Sequence, residues 1–397
     1  MTPLQLSSYT ASTCLGRGLE AQRRALAQRT SGLKPCDFET VDLPTWIGEV
    51  AGIDDVQLPA RLAHHDCRNN RLALLALEAD GFADAVRAAV GRFGPRRVGL
   101  FLGTSTAGIL QTELAYRRRD PATGALPPDY VYHTTHNSYS VAGFVREYFG
   151  LEGPAMAVST ACSSSAKAFA AGARYIECGL IDAALVGGVD SLCLTTLYGF
   201  NSLELTSPEP CRPYDAERKG ISVGEGAAYA LLERPTARPS EDAVLLLGYG
   251  ESSDAYHMSA PHPEGRGARQ AMEAALRSAG LTPADIDYIN LHGTATPSND
   301  AAEGKAVAAL FGNAVPCSST KGATGHTLGA AGAVEAIFGA LALEDGLLPG
   351  GVHTRRLDPT LDLDYLLENR SGRPSRVLSN SFGFGGSNCS LVLGRSQ

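Results

Sequence analysis

Short apolar segments alternate with helical patterns along this chain, and this alternation limits the fold more than any other feature. The apolar segments have the length of buried strands and cover residues 98–102, 156–159, 183–186, 227–232, 244–247, 286–291 and 390–393. Helical patterns end at Gly280 and Gly312, after residues 268–279 and 300–311, and Thr282-Pro283 is a helix-start signal. Strands that alternate with helices indicate a layered α/β fold. The sequence therefore predicts the α/β class.

The two halves of the chain carry a similar pattern. Residues 98–106 and 289–296 each read as a strand that ends in Gly-Thr-x-Thr, and each is followed downstream by Ser-Thr and a run of small residues. We interpret this as a duplication, with halves at 1–240 and 241–397; the alternative is chance similarity among small-residue turns. The first half has about thirty additional residues, mostly within 107–150. This insertion is a candidate for covering a substrate or forming a dimer.

Composition and charge exclude several classes of protein. The net charge of −8 opposes nucleic acid as the default partner. Apolar stretches are interrupted before they reach membrane length, as Glu335 interrupts 329–343, so no membrane span is expected. The N-terminus does not resemble a secretory signal. Nine cysteines without C-x-x-C spacing favour reduced thiols and a cytoplasmic location, and they do not predict a metal site.

Cys162 is the candidate nucleophile among these cysteines. It lies where a predicted strand ends at Ser-Thr-Ala and a helix rich in small residues begins. The positive end of a helix dipole favours a thiolate, so we expect the pKa of Cys162 to be lowered. The alternative is a cysteine that only packs in the core, and we assign the other eight to that role.

Two histidines are candidates to act with this thiol. His292 ends an apolar strand and opens His-Gly-Thr-Ala-Thr, while His326 lies before a helix of small residues, where we expect it to be neutral. Lys321 and Glu335 interrupt small or apolar surroundings, so each needs a partner. The sequence leaves open whether they pair with each other, with solvent or with a substrate.

The glycine-rich run at residues 380–388 is predicted to be a turn between strands. It lacks the G-x-G-x-x-G pattern of a dinucleotide site. A backbone amide of this turn is a candidate for an oxyanion hole, with Phe382 and Phe384 closing the pocket.

Together these motifs resemble the elongating β-ketoacyl-(acyl carrier protein) synthases of the thiolase superfamily. The resemblance covers roughly residues 95–395 and rests on Thr160-Ala-Cys162, His292-Gly-Thr-x-Thr296, Lys321 with Thr324-Gly-His326, Glu335, Arg212-Pro-Tyr-Asp215 and residues 380–386. It implies a thiolase-like five-layered αβαβα fold built from two similar halves. Two features depart from the family pattern: residues 4–15 replace its usual opening strand, and Asn299 stands where Gly is common.

The resemblance also implies a role for each site residue. Cys162 would be acylated, and His292 and His326 would act on the malonyl thioester. Lys321 and Glu335 would organise His326. The amides of Cys162 and Phe384 would stabilise the oxyanion, and Thr294 and Thr296 would hydrogen-bond the pantetheine arm.

The implied reaction is a decarboxylative Claisen condensation that extends a fatty acyl or polyketide chain by two carbons. It needs no metal or other cofactor, because phosphopantetheine arrives on the acyl carrier protein. The expected partners are that carrier, malonyl and acyl thioesters, and a second synthase chain in a homodimer or heterodimer. Alternatives are a subunit of a polyketide or aryl-polyene heterodimer, a non-catalytic chain-length partner, and a cysteine hydrolase, although no third orienting Asn or Asp is evident for the hydrolase.

Two arginine clusters are candidates for docking an acidic carrier protein. One contains Arg61, Arg68 and Arg71, and the other contains residues 117–119. The alternative is that both are solvated charged faces.

Overall fold

The predicted alternation of strands and helices is confirmed in the computed structural model, which describes residues 1–235 and 240–396. The strands are β1 Leu4–Thr13, β2 Gly16–Arg17, β3 Lys34–Pro35, β4 Trp46–Gly48, β5 Val98–Gly103, β6 Ala155–Val158, β7 Ala183–Asp190, β8 Val223–Gly224, β9 Gly226–Glu233, β10 Val244–Ser253, β11 Tyr288–Asn290, β12 Cys317–Ser318, β13 Leu347–Leu348, β14 Arg370–Ser371, β15 Arg376–Gly383 and β16 Ser387–Arg395. The α-helices are α1 Leu19–Gln28, α2 Arg68–Leu77, α3 Phe82–Phe93, α4 Ile109–Arg117, α5 Ser140–Phe149, α6 Ser164–Glu177, α7 Leu194–Ser202, α8 Arg266–Ala279, α9 Pro297–Phe311, α10 Lys321–Thr324 and α11 Ala331–Asp345. Short 3-10 turns cover Ala60–His65, Pro283–Asp285, Leu328–Ala330 and Phe384–Gly386.

The main sheet has eleven strands: two five-stranded halves with the same topology, and the short β2, which pairs with β1. The first half has the strand order β6-β5-β7-β9-β1, and the second has β12-β11-β15-β16-β10. In each half, three neighbouring parallel strands are followed by two strands that pair in the antiparallel direction. When the five strands of each half are numbered by their order along the chain, both halves have the same spatial order. The halves meet where β1 pairs with β10 at Leu4↔Leu246 and Gln5↔Leu245. The two similar halves are thus confirmed, whereas the boundary between residues 240 and 241 stays a prediction.

Helices complete five layers around the two half-sheets. The central layer holds α6 and α11, which pack on each other and on strands of both halves. Residues 331–343 of α11 are all buried, so the helix is apolar on every side except at Glu335. Helices α2, α3 and α5 cover the outer face of the first half, and α8 and α9 lie on the outer side of the second. This arrangement confirms the predicted αβαβα fold.

The N-terminal strand and the helix starts differ from the sequence predictions. Residues 4–13 form a full strand, β1, which lies centrally between β9 and β10. The sequence obscured this strand because its buried side chains include Thr10, Ser12 and Thr13. Helix α9 begins three residues before position 300, with Thr296 as its N-cap and Pro297 in the first turn. Thr282-Pro283 opens only a 3-10 turn with a capping box.

The insertion contributes to the outer layer of the first half. It contains α4 and α5, and α5 packs on β5 and on β6, which forms one edge of the main sheet. Whether the insertion covers a substrate or forms a dimer stays a prediction. In the described part of the chain, no helix is both long and apolar enough to cross a membrane.

Candidate active site

The predicted site residues converge where strands of both halves end. Cys162 lies between β6 and α6, and His292 follows β11. Lys321 and His326 follow β12, while Phe382 and Phe384 lie at the end of β15. The carboxyl ends of parallel strands are the usual position of ligand sites in α/β sheets. Each half therefore supplies part of one site.

Cys162, His292 and His326 form a compact buried cluster. The His326 Nε2 atom lies 3.0 Å from the Cys162 Sγ atom. The two imidazole rings are 5.3 Å apart and nearly perpendicular, at 82°. One ligand atom from each of the three side chains lies within 4.8 Å of the others. A thiol and two imidazoles can therefore contact one small group at the same time.

The prediction that the Cys162 pKa is lowered is wrong. Burial raises the pKa of this thiol to about 12, against the opposing effects of the Lys321 charge and a hydrogen bond from the Phe384 backbone. The segment turns through Ala161, whose φ is 53°, and α6 begins only at Ser164, two residues after the cysteine. Cys162 therefore rests as a thiol, and its proton has to move during attack on an acyl group.

The prediction that His326 is neutral is confirmed, but for a different reason. Burial, and secondarily the Lys321 charge, holds its pKa well below 6.5. Helix α11, the helix of small residues that follows, begins only at Ala331, five residues after the histidine. Burial and the Lys321 charge, followed by the effect of His326, also hold the pKa of His292 well below 6.5. Both rings are neutral around pH 7, where each has one N–H to donate.

Lys321 and Glu335 form a buried ion pair beside His292. The Lys321 ammonium bonds the Glu335 carboxylate and donates to the His292 carbonyl at 2.5 Å. It also lies 3.3 Å from His292 Nδ1. The prediction that this pair organises His326 is therefore wrong in its contacts, because the ammonium touches His292. Burial raises the pKa of Glu335 to about 7, although Lys321 opposes the shift.

The ammonium fixes the tautomer of His292. An ammonium group has only donors, so His292 Nδ1 has to accept from it. The single proton of the neutral ring is then on Nε2. His292 Nε2–H thus becomes a donor available to a bound group.

Phe384 lines the same pocket as Cys162 and both histidines. Its side chain is 36% exposed, and its ring is 5.9 Å from that of Phe200. The neighbouring Gly383 passes so close to the nucleophile loop that a Cβ there would be 2.7 Å from the Thr160 carbonyl oxygen. Phe382, by contrast, is buried with its ring 5.9 Å from that of His292.

Thr294 and Thr296 line the same pocket. Their hydroxyl oxygens are 2.8 Å apart, and the Thr296 hydroxyl also accepts from the backbone N–H of Asn299 at the start of α9. One threonine therefore supports the helix while both present hydroxyl groups to the pocket.

Two buried carboxylates near the histidines were missed from the sequence. Glu303 accepts the backbone N–H of His292 and of Gly293, each at 2.8 Å, and the Asn380 amide at 3.1 Å. Asp190 accepts from the loop at residues 104–106 and from the Gly329 N–H at 2.6 Å, three residues after His326. For Asp190 the available signal was a carboxylate at the end of an apolar strand, whereas Glu303 lies in α9 among other polar residues and carried no such signal.

The first arginine cluster does not form an exposed basic patch, so its docking prediction is wrong. Arg68 is 5% exposed and is bonded to Glu225, Glu49 and Asp54. Its neighbours are engaged too: Arg71 pairs with Asp66, and Arg61 donates to two backbone carbonyls. Residues 117–119 are exposed, so docking at this second cluster stays a prediction.

The cluster of Cys162 and the two histidines has the donor types of a metal site. The ammonium of Lys321 beside His292 adds a positive charge that opposes a divalent ion there. The prediction that this site holds no metal stays a prediction.

Two family models match the chain. The model described as "Beta-ketoacyl synthase, N-terminal domain" matches residues 71–237, and "Beta-ketoacyl synthase, C-terminal domain" matches residues 243–355. A 3-oxoacyl-[acyl-carrier-protein] synthase 2 of Rhizobium meliloti (strain 1021) is 40% identical, over 75% of this chain and 74% of its own. The protein of the same name in Staphylococcus aureus is 35% identical, over 75% and 77%.

Solved structures agree with these relatives. A ketosynthase in complex with its chain length factor from Xenorhabdus doucetiae matches with a TM-score of 0.91 and 39% identity, covering 100% of this chain and 98% of the other. A β-ketoacyl synthase from Burkholderia phymatum STM815 matches with a TM-score of 0.88 and 29% identity, covering 100% of both chains.

Proposed function

The chain belongs to the β-ketoacyl synthase family, and we propose that it condenses malonyl-acyl carrier protein with an acyl group held on Cys162. The observation that carries this proposal is the buried cluster in which Cys162 Sγ lies 3.0 Å from His326 Nε2 beside a second neutral histidine. The product is a β-ketoacyl chain two carbons longer. The cluster supplies a nucleophile and donors for an enolate, which are the two requirements of this reaction.

The first half-reaction transfers the acyl group to Cys162. Attack of sulfur on the thioester carbonyl forms a tetrahedral oxyanion, which the backbone amides of Cys162 and Phe384 stabilise. The Phe384 backbone lowers the pKa of the Cys162 thiol and so favours its anionic form, which supports this role. The thiol proton passes to the departing pantetheine thiolate, while His326 keeps its Nε2–H beside the sulfur.

The second half-reaction condenses the acyl group with a malonyl thioester. Loss of carbon dioxide leaves an enolate, and the Nε2–H groups of His292 and His326 donate to its oxygen. The Lys321 ammonium supports the role of His292, because it fixes the proton on Nε2. The enolate carbon then attacks the acyl carbonyl on Cys162 and expels the Cys162 thiolate, which regains a proton from solvent. Thr294 and Thr296 hydrogen-bond the pantetheine arm in the pocket, and no metal or redox cofactor takes part.

Mass spectrometry of the two half-reactions tests this function. We expect Cys162→Ala to lose acyl label, with exposed Cys178 as the unlabelled control thiol. His292→Ala should retain acyl transfer and lose condensation. Hydrolysis of the acyl thioester without condensation would favour the cysteine hydrolase, and absence of label on Cys162 would favour the non-catalytic chain-length partner.

We further propose that the chain works as a dimer, with a copy of itself or with a related chain. Within residues 1–235 and 240–396, β6 pairs only with β5, so its outer edge is open. Met156 on this strand is 40% exposed, and the insertion adds the exposed Tyr132 and Tyr139. An open strand edge beside apolar side chains favours pairing with another chain.

The ketosynthase subunit of a polyketide or aryl-polyene heterodimer is the second candidate function. The similarity over the full chain to a ketosynthase solved with its chain length factor favours it. Native mass spectrometry of the chain alone and co-expressed with a related synthase distinguishes the two assemblies. A stable homodimer that elongates fatty acyl chains unaided would exclude the heterodimer.

A further inference from the structure

A second cluster of metal-ligand side chains lies on the outer layer of the first half. His64 and His65 end the 3-10 turn Ala60–His65, and Glu147 lies in the last turn of α5. The Nε2 atoms of His64 and His65 are 3.3 Å and 3.1 Å from the same carboxylate oxygen, Glu147 Oε2. One ligand atom from each side chain lies within 4.8 Å of the others. The cluster shares no residue with the active site.

The His65 ring faces more hydrogen-bond acceptors than a neutral imidazole can satisfy, which is compatible with a bound cation. Its Nδ1 atom is 3.3 Å from the Thr134 carbonyl oxygen, and its Nε2 atom faces the Glu147 carboxylate. Both of these oxygens are acceptors, whereas a neutral imidazole has a single N–H. The His65 side chain is 6% exposed, so water does not readily relieve the conflict. Either a second proton or a metal ion between the ring and the carboxylate satisfies both contacts.

The distances and the types of ligand favour the metal. Zn–N and Zn–O bonds of about 2.0–2.2 Å in a tetrahedron separate neighbouring ligand atoms by about 3.3–3.5 Å. The two observed nitrogen-to-oxygen separations of 3.1 Å and 3.3 Å are close to this range, and the two histidine nitrogens lie within 4.8 Å of each other, so the three ligand atoms can close on one ion by adjustment of their side chains. The His65 Nδ1–H bonded to a backbone carbonyl is the usual outer contact of a zinc-bound histidine.

We propose that His64, His65 and Glu147 bind a zinc ion, with water in the fourth position. The ion joins the 3-10 turn Ala60–His65 to α5 and, through the Thr134 carbonyl, to the segment that precedes α5 in the insertion. Its role is to fix the insertion on the 3-10 turn. The proposal is independent of the condensation reaction.

Titration with Zn²⁺ against a chromophoric chelator tests the site. The measurements use the Cys162→Ala background, because the active-site cluster is the other group of metal-ligand side chains in the described residues. We expect one zinc ion per chain, at least tenfold weaker binding in Glu147→Gln and His64→Asn, and no change in His257→Asn, an exposed histidine control. X-ray absorption should show two imidazole nitrogens and one carboxylate oxygen at about 2.0–2.2 Å.

Thermal unfolding provides a second measurement. Added Zn²⁺ should raise the Tm of the parent and of His257→Asn, and should not raise that of His64→Asn, a substitution at a half-exposed side chain. Absence of zinc binding to the folded parent, or binding that neither variant weakens, overturns the proposal. A doubly protonated His65 in metal-treated protein overturns it as well.

Discussion

Replacing Glu303 with glutamine tests the contribution of a buried carboxylate that accepts hydrogen bonds from the backbone N–H groups of His292 and Gly293. The two side chains have nearly the same shape, so no cavity forms. One Glu303 oxygen accepts from the His292 N–H and from the Asn380 amide, and the other accepts from the Gly293 N–H. A glutamine has one oxygen and one NH₂ group. In either orientation its NH₂ group therefore faces a backbone N–H.

The size of the effect follows from these contacts. Leaving one buried N–H without an acceptor costs about 1–3 kcal/mol, and the remaining bonds each weaken by about 1 kcal/mol when the acceptor loses its charge. Burial raises the pKa of Glu303, which shows that burying this charge is unfavourable, so a neutral glutamine recovers part of the loss. We expect a net destabilisation of about 2–4 kcal/mol. If about 1.4–2.8 kcal/mol of this destabilisation falls on the positioning of His292, the rate of condensation decreases by about 10- to 100-fold.

The two half-reactions provide the assay. Acyl transfer to Cys162 in Glu303→Gln should stay close to the parent rate, because Cys162 and His326 keep their contact. Condensation and Tm should both fall. Glu264→Gln is the matched control, since this exposed carboxylate pairs with Lys305 on the same helix as Glu303. Equal loss of both half-reactions, or loss of neither, would refute the argument that Glu303 acts by positioning His292.

Three further changes probe the gate, the charge state and the docking surface. Phe384→Ala should raise malonyl decarboxylation without condensation, since the ring lines the pocket, and unchanged half-reaction rates would contradict a gate. Burial and then the Lys321 charge hold the pKa values of His292 and His326 well below 6.5, so both rings stay neutral on mild acidification. The pH profile of kcat/KM should therefore lack the inflection near 6.5 that protonation of either ring would produce. Reversing exposed Arg118 and Arg119 to Glu should raise KM for a carrier-bound substrate but not for a small pantetheine thioester, and added salt should do the same; equal effects on both substrates would exclude this docking surface.

The sequence predicted which side chains come together at the candidate site, because these side chains belong to short local motifs. The environment of Cys162 and the order of His292, Lys321 and His326 are visible in one reading of the chain. The α/β class and the two halves followed from strand and turn patterns for the same reason. The pKa of Cys162 was predicted wrongly, because burial depends on contacts from the other half of the chain.

The missed and misjudged residues depend on long-range pairing. Arg68 looked like a surface charge because its partner Glu225 is 157 positions away. Asp190 similarly bonds Gly329 at a separation of 139 positions. Such a side chain can stand out as a charge in an apolar segment, but the local sequence does not show which distant segment it joins.

The central helical layer makes catalytic competence a property of the completely assembled molecule. Helix α6 follows the nucleophile, helix α11 carries Glu335, and each is buried against strands of both halves. Separating the halves would expose both helices to water and would part Cys162 from His326, which are 164 positions apart along the chain. A partly unfolded molecule therefore has no residual turnover, and the loss of acyl transfer on heating should accompany the first cooperative unfolding event of the core.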